Sequence, residues 1–224
     1  MSPALFDPAA AGYDAWYETE LGKVVDEVEE GLVRATFVPP GPRVLEIGCG
    51  TGLYTARLVQ RGYRVSAVDA SREMLSRARA RLASLGLSAE CIEADVGEAE
   101  PRLGRFDGIL SVTAFEFIRE PGPLLRRLLG HLEPGGCLVV AVIAGGSAWS
   151  ARYAEIALER PASVFAHARF WTPEEILRWD VGVPCELGTA LYFPPAVASR
   201  AAALEAERRR EGAPGFVAGR WVRQ

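Results

Sequence analysis

The chain has 224 residues and a formal net charge of -4, with 25 Lys plus Arg against 29 Asp plus Glu. That length gives one domain room for a sizeable core, and an acidic chain without a clustered basic face argues against a nucleic-acid surface. No apolar run reaches the roughly 18 to 20 residues of a membrane span, and the first residues lack a basic region followed by a hydrophobic core, so a cytoplasmic protein is expected.

Cys49, Cys91, Cys137 and Cys185 are scattered, with no C-x-x-C pair and no histidine near enough to complete a zinc set. They read as reduced, mostly buried small residues, and no metal is expected. A single lysine, Lys23, stands against 24 arginines, and asparagine is absent. Depletion of heat-labile amides points to a thermophilic bacterium, although a GC-rich genome also enriches Arg and Ala.

In chain order, Asp7-Pro8 reads as an N-cap followed by proline at the first helical position, opening a short helix that carries Tyr13, Trp16 and Tyr17. Leu21, Val24, Val25, Val28 and Leu32 then fall on one face of a second helix. After Pro39-Pro40-Gly41-Pro42 the spacing predicts a strand at 43–47, a helix at 53–61, a strand at 64–68 and a helix at 71–85. Gly62 and Gly86 sit where helix C-terminal glycines belong. Strands at 89–94 and 106–111, a leucine-rich helix at 121–132 and a strand at 137–143 continue the alternation.

Alternation of this length predicts an α/β fold with a doubly wound, Rossmann-like, mostly parallel sheet. From 144 to 184 the pattern lapses into a segment carrying Trp149, Tyr153, Phe165, Phe170, Trp171 and Trp179, inside which Thr172-Pro173-Glu174-Glu175 forms a capping box. Strands at 186–193 and 216–222 around an Ala/Glu/Arg helix suit an antiparallel, hairpin-like finish on the sheet edge and bring the sheet to about seven strands, with an antiparallel C-terminal strand.

The chemistry starts where the first strand ends, in Val44-Leu45-Glu46-Ile47-Gly48-Cys49-Gly50-Thr51-Gly52. Glycines at alternate positions let the backbone turn sharply and leave no Cβ to hold a ligand off the main chain. The spacing is G-x-G-x-G, one residue short of the dinucleotide fingerprint G-x-G-x-x-G, with Leu53 where the third glycine would stand. Asp69 ends the second strand, 17 residues after Gly52, at the carboxyl edge where open α/β sheets bind ligands. A carboxylate there can accept from both ribose hydroxyls; alternatively it is a turn residue capping the helix at 71. Asp95 ends the third strand, where it can accept from an adenine amino group with the Val96 N–H beside a ring nitrogen.

Together with Phe106-Asp107-Gly108-Ile109-Leu110-Ser111 and Glu133-Pro134-Gly135-Gly136, these motifs resemble class I S-adenosylmethionine (SAM)-dependent methyltransferases over about residues 40 to 143. Tyr13-Asp14-Ala15-Trp16 ahead of the first motif is similar to the type 11 small-molecule enzymes, relatives of quinone-biosynthesis methyltransferases. The resemblance implies that Glu46, Gly48, Cys49, Gly50 and Gly52 hold the methionine part of SAM, and Asp69 and Ala70 the ribose. It places Met74, Asp95 and Val96 at the adenine, the Ser111 carbonyl at the methionine amino group, and Tyr13 near the sulfonium.

The same likeness divides the chain as one domain: an N-terminal helical lid at 1–36, a SAM-binding core at 40–143, a substrate-side insertion at 144–184 and a C-terminal sheet edge at 185–224. The expected reaction is in-line transfer of the methyl group to a small-molecule acceptor, leaving S-adenosylhomocysteine (SAH). Trp16, Tyr17, Glu116 and His167 are the candidates to touch that acceptor. Glu116 stands where many relatives carry histidine, and the prior reading is a solvated or salt-bridged side chain ahead of a catalytic one. No catalytic base is assigned, because the sulfonium is already an activated leaving group. His131 precedes a strand and therefore belongs at the amino edge of the sheet, away from ligands.

No Asn/Asp-Pro-Pro-aromatic motif follows the fourth strand, and the Pro184-Cys185 pair stands far from that strand end, which argues against the usual machinery of DNA base methylation. Two other readings use the same loop: an NAD(P)-dependent oxidoreductase and a SAM-binding protein without chemistry. The acceptor, the atom methylated and the oligomeric state stay open. The aromatic segment, with Tyr13, Trp16 and Tyr17, is expected to form an apolar cavity over the methyl group.

Overall fold

The computed structural model describes residues 4–96 and 103–224. A 3-10 helix over Asp7–Glu18 leads into α1 (Glu20–Thr36). Strand and helix then alternate through β1 (Arg43–Ile47), α2 (Leu53–Gln60), β2 (Arg64–Asp69), α3 (Arg72–Ser84), β3 (Glu90–Glu93) and β4 (Phe106–Val112). A short 3-10 turn, Phe115–Phe117, precedes α4 (Pro121–Gly130) and β5 (Leu132–Ile143). The rest comprises α5 (Ala148–Glu159), a 3-10 turn at Val164–His167, α6 (Pro173–Leu177), β6 (Cys185–Ala190), α7 (Arg200–Arg209) and β7 (Phe216–Val222).

The strands form one seven-stranded sheet in the order β3-β2-β1-β4-β5-β7-β6. Pairs from β3 through β5 are parallel, and β7 runs antiparallel to both of its neighbours. The order reverses between β1 and β4, which makes the carboxyl ends of those two strands the crevice where an open sheet receives ligands.

Central strands are buried on both faces, so they read as unbroken apolar runs rather than alternating ones. In β5, Leu138, Val140 and Val142 pack on one side with Leu45, Ile109 and Leu125. Cys137, Val139 and Ala141 face the other side with Val44, Leu110, Leu58 and Leu75, where Val24, Val25 and Val33 of α1 also pack. No helix among the described residues is long and apolar enough to cross a membrane.

Two local expectations change. The first helix is a 3-10 helix capped by Phe6 without a side-chain bond, because the Asp7 carboxylate is used elsewhere: it accepts from the Ser71 hydroxyl at 2.6 Å and the Ala4 N–H at 2.9 Å. Strand β5 starts at Leu132, not 137, since Phe106 pairs with Leu132 and Gly108 with Cys137 across a register shift that absorbs the Glu133-Pro134-Gly135-Gly136 motif. The last two strands finish the sheet edge as an antiparallel pair, as expected, with β7 on the inner side. Phe216, Val217 and Ala218 of β7 are fully buried and sit between β5 and β6, while the half-exposed β6 takes the edge.

The aromatic segment also divides between the two faces of the sheet. Trp171 and Trp179 pack at 5.4 Å and 83°, and Trp179 stacks on Trp221 at 6.2 Å and 15°, on the face opposite Trp149, Tyr153 and Phe170. The buried Trp221 Nε1–H has no hydrogen-bond partner among the described residues. A lone buried donor costs on the order of 1–3 kcal/mol, which offsets part of the packing. Trp221→Ala should therefore destabilise the protein by about 3–5 kcal/mol, whereas Trp221→Phe, which removes the orphan donor, should cost far less. Denaturant melts of the two variants check this; equal losses would mean that the indole N–H is satisfied.

Candidate functional site

The loop after β1 opens a cavity of about 380 Å³ at the carboxyl edge. Its glycines have separate duties. A Cβ on Gly52 (φ +78°) would come within 2.9 Å of Ala78, so that position lets α3 pack close; a Cβ on Gly50 (φ +53°) would meet nothing within 4 Å, so that backbone faces open space. One carboxylate fixes the turn: Asp69 accepts from the Gly50 N–H and from the Ser71 N–H, each at 2.8 Å. Burial raises the Asp69 pKa, and those two N–H groups oppose the rise.

Ser71 caps α3 by accepting from the Met74 N–H at 3.1 Å and donates to Asp7. Asp14 accepts from the Thr51 hydroxyl at 2.7 Å and pairs with Arg81 at 2.8 Å. The N-terminal segment is thus tied across the glycine loop and the start of α3.

Of the residues expected at the cofactor, Tyr13, Glu46, Gly48, Cys49, Gly50, Asp69, Ala70, Met74, Asp95 and Val96 all line this cavity. Gly52 and Ser111 do not. Gly52 turns toward α3, and the buried Ser111 hydroxyl donates to the Ile47 carbonyl at 2.9 Å, bonding β4 to β1 inside the sheet. Val112, Thr113 and Ala114, the residues directly after Ser111, line the cavity. Glu46 is 3% exposed, accepts from the Thr55 hydroxyl at 2.5 Å, and has its pKa pushed up to about 8 by burial. Burial also raises the Cys49 thiol.

Two lining residues escaped the sequence reading. The Tyr54 hydroxyl is buried without a partner among the described residues, and the Arg57 guanidinium lies 5.1 Å from its ring centroid. Its place two residues after the last loop glycine was the available signal. Thr113 has φ +51°, a strained conformation for a β-branched residue, and nothing in its one-letter neighbourhood announces it.

A second cavity of about 880 Å³ abuts the first. Phe6, Tyr13, Tyr17, Thr113 and Phe117 line both. Its far walls are Trp149, Tyr153, Phe165 and Phe170, with Trp16 at the rim, edge-on to Trp149 at 6.5 Å and 77°. The expected aromatic chamber exists, built from one half of the 144–184 segment; Trp171 and Trp179 lie across the sheet.

Glu116 departs from its prior reading as a solvated or salt-bridged residue. The 3-10 turn after β4 points it inward, where it is 2% exposed, and Oε1 accepts from the Ile143 N–H at 2.9 Å. Oε2 has no partner among the described residues, and burial pushes the pKa up to about 7. Glu29 of α1 lines the same chamber and was not singled out from sequence, since a glutamate on a helix is normally a solvated face; burial raises it to about 8. His167 is exposed and lines neither cavity, because the 3-10 turn that carries Phe165 inward turns His167 outward. His131 places Nδ1 3.0 Å from the Gly104 carbonyl, away from both chambers, as expected.

Residues 44–136 match the family described as a methyltransferase domain. An uncharacterized protein of Mycobacterium tuberculosis is 32% identical over 168 residues, covering 75% of this chain and 55% of that protein. The ubiquinone biosynthesis O-methyltransferase of Caulobacter vibrioides is 31% identical over 168 residues, 69% of this chain and 63% of its own length. The chain therefore matches 55% to 63% of the length of these relatives. Among solved structures, a SAM-dependent methyltransferase of Thermotoga maritima, described as a possible histamine N-methyltransferase, superposes with a TM-score of 0.74 at 21% identity over 98% of both chains.

Three buried acids, Glu29, Glu46 and Glu116, carry pKa values of about 8, 8 and 7 against the ordinary 4.5. Each binds more proton in the folded than in the unfolded state, so its stabilising contribution is complete below the unfolded value and is lost as pH rises through the folded one. The melting temperature should fall between about pH 5 and 8, and Glu46→Gln, which keeps an acceptor for Thr55, should flatten the slope. A scanning-calorimetry series over that range, flat or rising for the wild type, would show these acids to be ionised in the fold.

Proposed function

We propose that this chain is a class I SAM-dependent methyltransferase of the type 11 kind, which moves a methyl group from SAM to a small-molecule acceptor and releases SAH; the methyltransferase-domain match and the Caulobacter relative support the reading. The observation that carries the reading is the pair of abutting cavities, one on the glycine loop and one lined by aromatic rings, with Tyr13, Tyr17 and Thr113 in their common wall.

The first cavity fits the cofactor. Gly50 offers bare backbone to open space, and the Tyr54 hydroxyl is a buried group in want of a partner. In this reading Glu46, Gly48, Cys49, Gly50 and Tyr54 take the methionine end, Asp69 and Ala70 the ribose, and Met74, Asp95 and Val96 the adenine. A carboxylate has about four lone-pair sites, so Asp69 can keep its two N–H bonds and still accept from ribose.

SAM supplies a methyl group already activated for transfer. The chain's own work is to exclude water and align the acceptor, for which positioning is worth about 7–11 kcal/mol. The segment 1–36 acts as lid over both cavities and 144–184 contributes the acceptor side. The O-methyltransferase name of the Caulobacter relative supports a small acceptor, and four free thiols support a reducing, cytoplasmic setting.

Asp69→Ala should weaken SAH affinity at least about tenfold, because charged hydrogen bonds of about 1.5–3 kcal/mol each are lost. It should also lower the melting temperature, since the Gly50 and Ser71 N–H groups lose their acceptor. Titration calorimetry on wild type and variant, with SAH and with NAD, tests the reading. Heat released by NAD and none by SAH would replace methyl transfer with a nicotinamide reading.

A further inference from the structure

The aromatic chamber contains more acid than its architecture needs. Glu116 meets its structural duty through Oε1, which satisfies the Ile143 N–H, and a glutamine could do the same. Its second oxygen is buried, unpartnered among the described residues, and belongs to a side chain that lines the chamber. Glu29, only 7% exposed, reaches the same chamber from α1, near enough for the two carboxyls to feel each other's charge. Burying one uncompensated carboxyl is costly, and burying two in a common apolar space doubles the problem.

Among the described residues, the basic side chains lining the chamber are Arg152 and Arg160, both at exposed positions. Arg152 is engaged with Glu155 at 3.1 Å and Glu159 at 3.7 Å. The other titratable groups facing inward are the hydroxyls of Tyr13, Tyr17 and Tyr153, whose pKa values are all raised by burial. The interior therefore presents two acids and several ring faces; the cations around it are Arg152 and Arg160 at exposed positions and Arg57, which pairs with Asp26 and whose charge works against the rise of Glu29. Ring faces and carboxylates favour the same kind of ligand, a positive charge on an apolar body.

We infer that the methyl acceptor is an amine: an apolar or aromatic molecule whose basic nitrogen binds as a cation beside Glu116 and Glu29, its body held by the rings of Trp149, Tyr153 and Phe165. The inference rests on the methyl-transfer reading and adds the chemical class of the acceptor. Proton transfer from the ammonium to the Glu116 carboxylate frees the nitrogen lone pair. That pair forms the new N–C bond as the C–S bond of the methyl donor breaks, and the sulfur keeps the C–S electrons as SAH. The proton stays on Glu116 until the methylated amine leaves.

Burial favours the protonated form of both acids in the empty chamber, so a bound cation shifts them toward the carboxylate and releases proton. The probes are 2-phenylethylamine and its isosteres 2-phenylethanol and phenylacetate, titrated into the full chain with and without saturating SAH, in buffers of different ionisation enthalpy. The amine should bind at least about tenfold tighter than the alcohol and release up to about one proton per ligand. Glu116→Gln, and the double variant with Glu29→Gln, should lose the preference and the proton release while retaining SAH affinity and a cooperative melt.

Equal or tighter binding of the alcohol or the carboxylate overturns the inference, as does failure of all three probes on protein that binds SAH. An amine preference that survives in a folded double variant also overturns it, since the acids would not be its source. Absence of SAH binding removes the methyl-transfer reading itself, and the amine as acceptor with it.

Discussion

The site depends on a single carboxylate with two backbone partners. Asp69 holds the Gly50 N–H with one oxygen and the Ser71 N–H with the other, and so locks the turn after β1 to the turn after β2. Everything around the first cavity is hung from that clamp. Gly50 is kept in its left-handed conformation, Ser71 is set to start α3, and Ser71 in turn takes hold of Asp7. A group expected to serve a ligand is thus also part of the scaffold, which is why affinity and stability at Asp69 cannot be separated by one substitution.

Around that clamp the protein keeps several groups in states that folding alone would not select. Thr113 carries a positive φ, the Tyr54 hydroxyl and one oxygen of Glu116 are buried without partners among the described residues, and Glu29, Glu46 and Glu116 are held with raised pKa values. All five residues line one or other of the two cavities. Stability is lost where ligands are received and recovered in the sheet, whose central strands are packed on both faces.

The sheet was legible because its signals are local. Apolar runs bounded by Gly and Pro located β1, β2 and β4 within a residue, and the glycine spacing with Asp69 marked the ligand edge. What stayed illegible depends on tertiary contact. Glu116 and Glu29 look like surface glutamates until the 3-10 turn and the packing of α1 turn them inward. Sequence order does not reveal which strand of the C-terminal pair lies outermost: β7 slots between β5 and β6. The Ser111 side chain is directed to the Ile47 carbonyl inside the sheet, while the next three residues line the cavity. His167 was placed in the right segment but on the outer side of its turn.

Phe6, Tyr13 and Tyr17 belong to a single stretch of chain and wall both cavities at once. A partition built this way cannot be withdrawn from one chamber and left standing in the other, so traffic through the two is coupled. The segment is fastened by a few polar ties, Asp7 to Ser71 and Asp14 to Thr51 and Arg81, which can break and reform at small cost. A displacement of that one stretch therefore opens the walls of both chambers together.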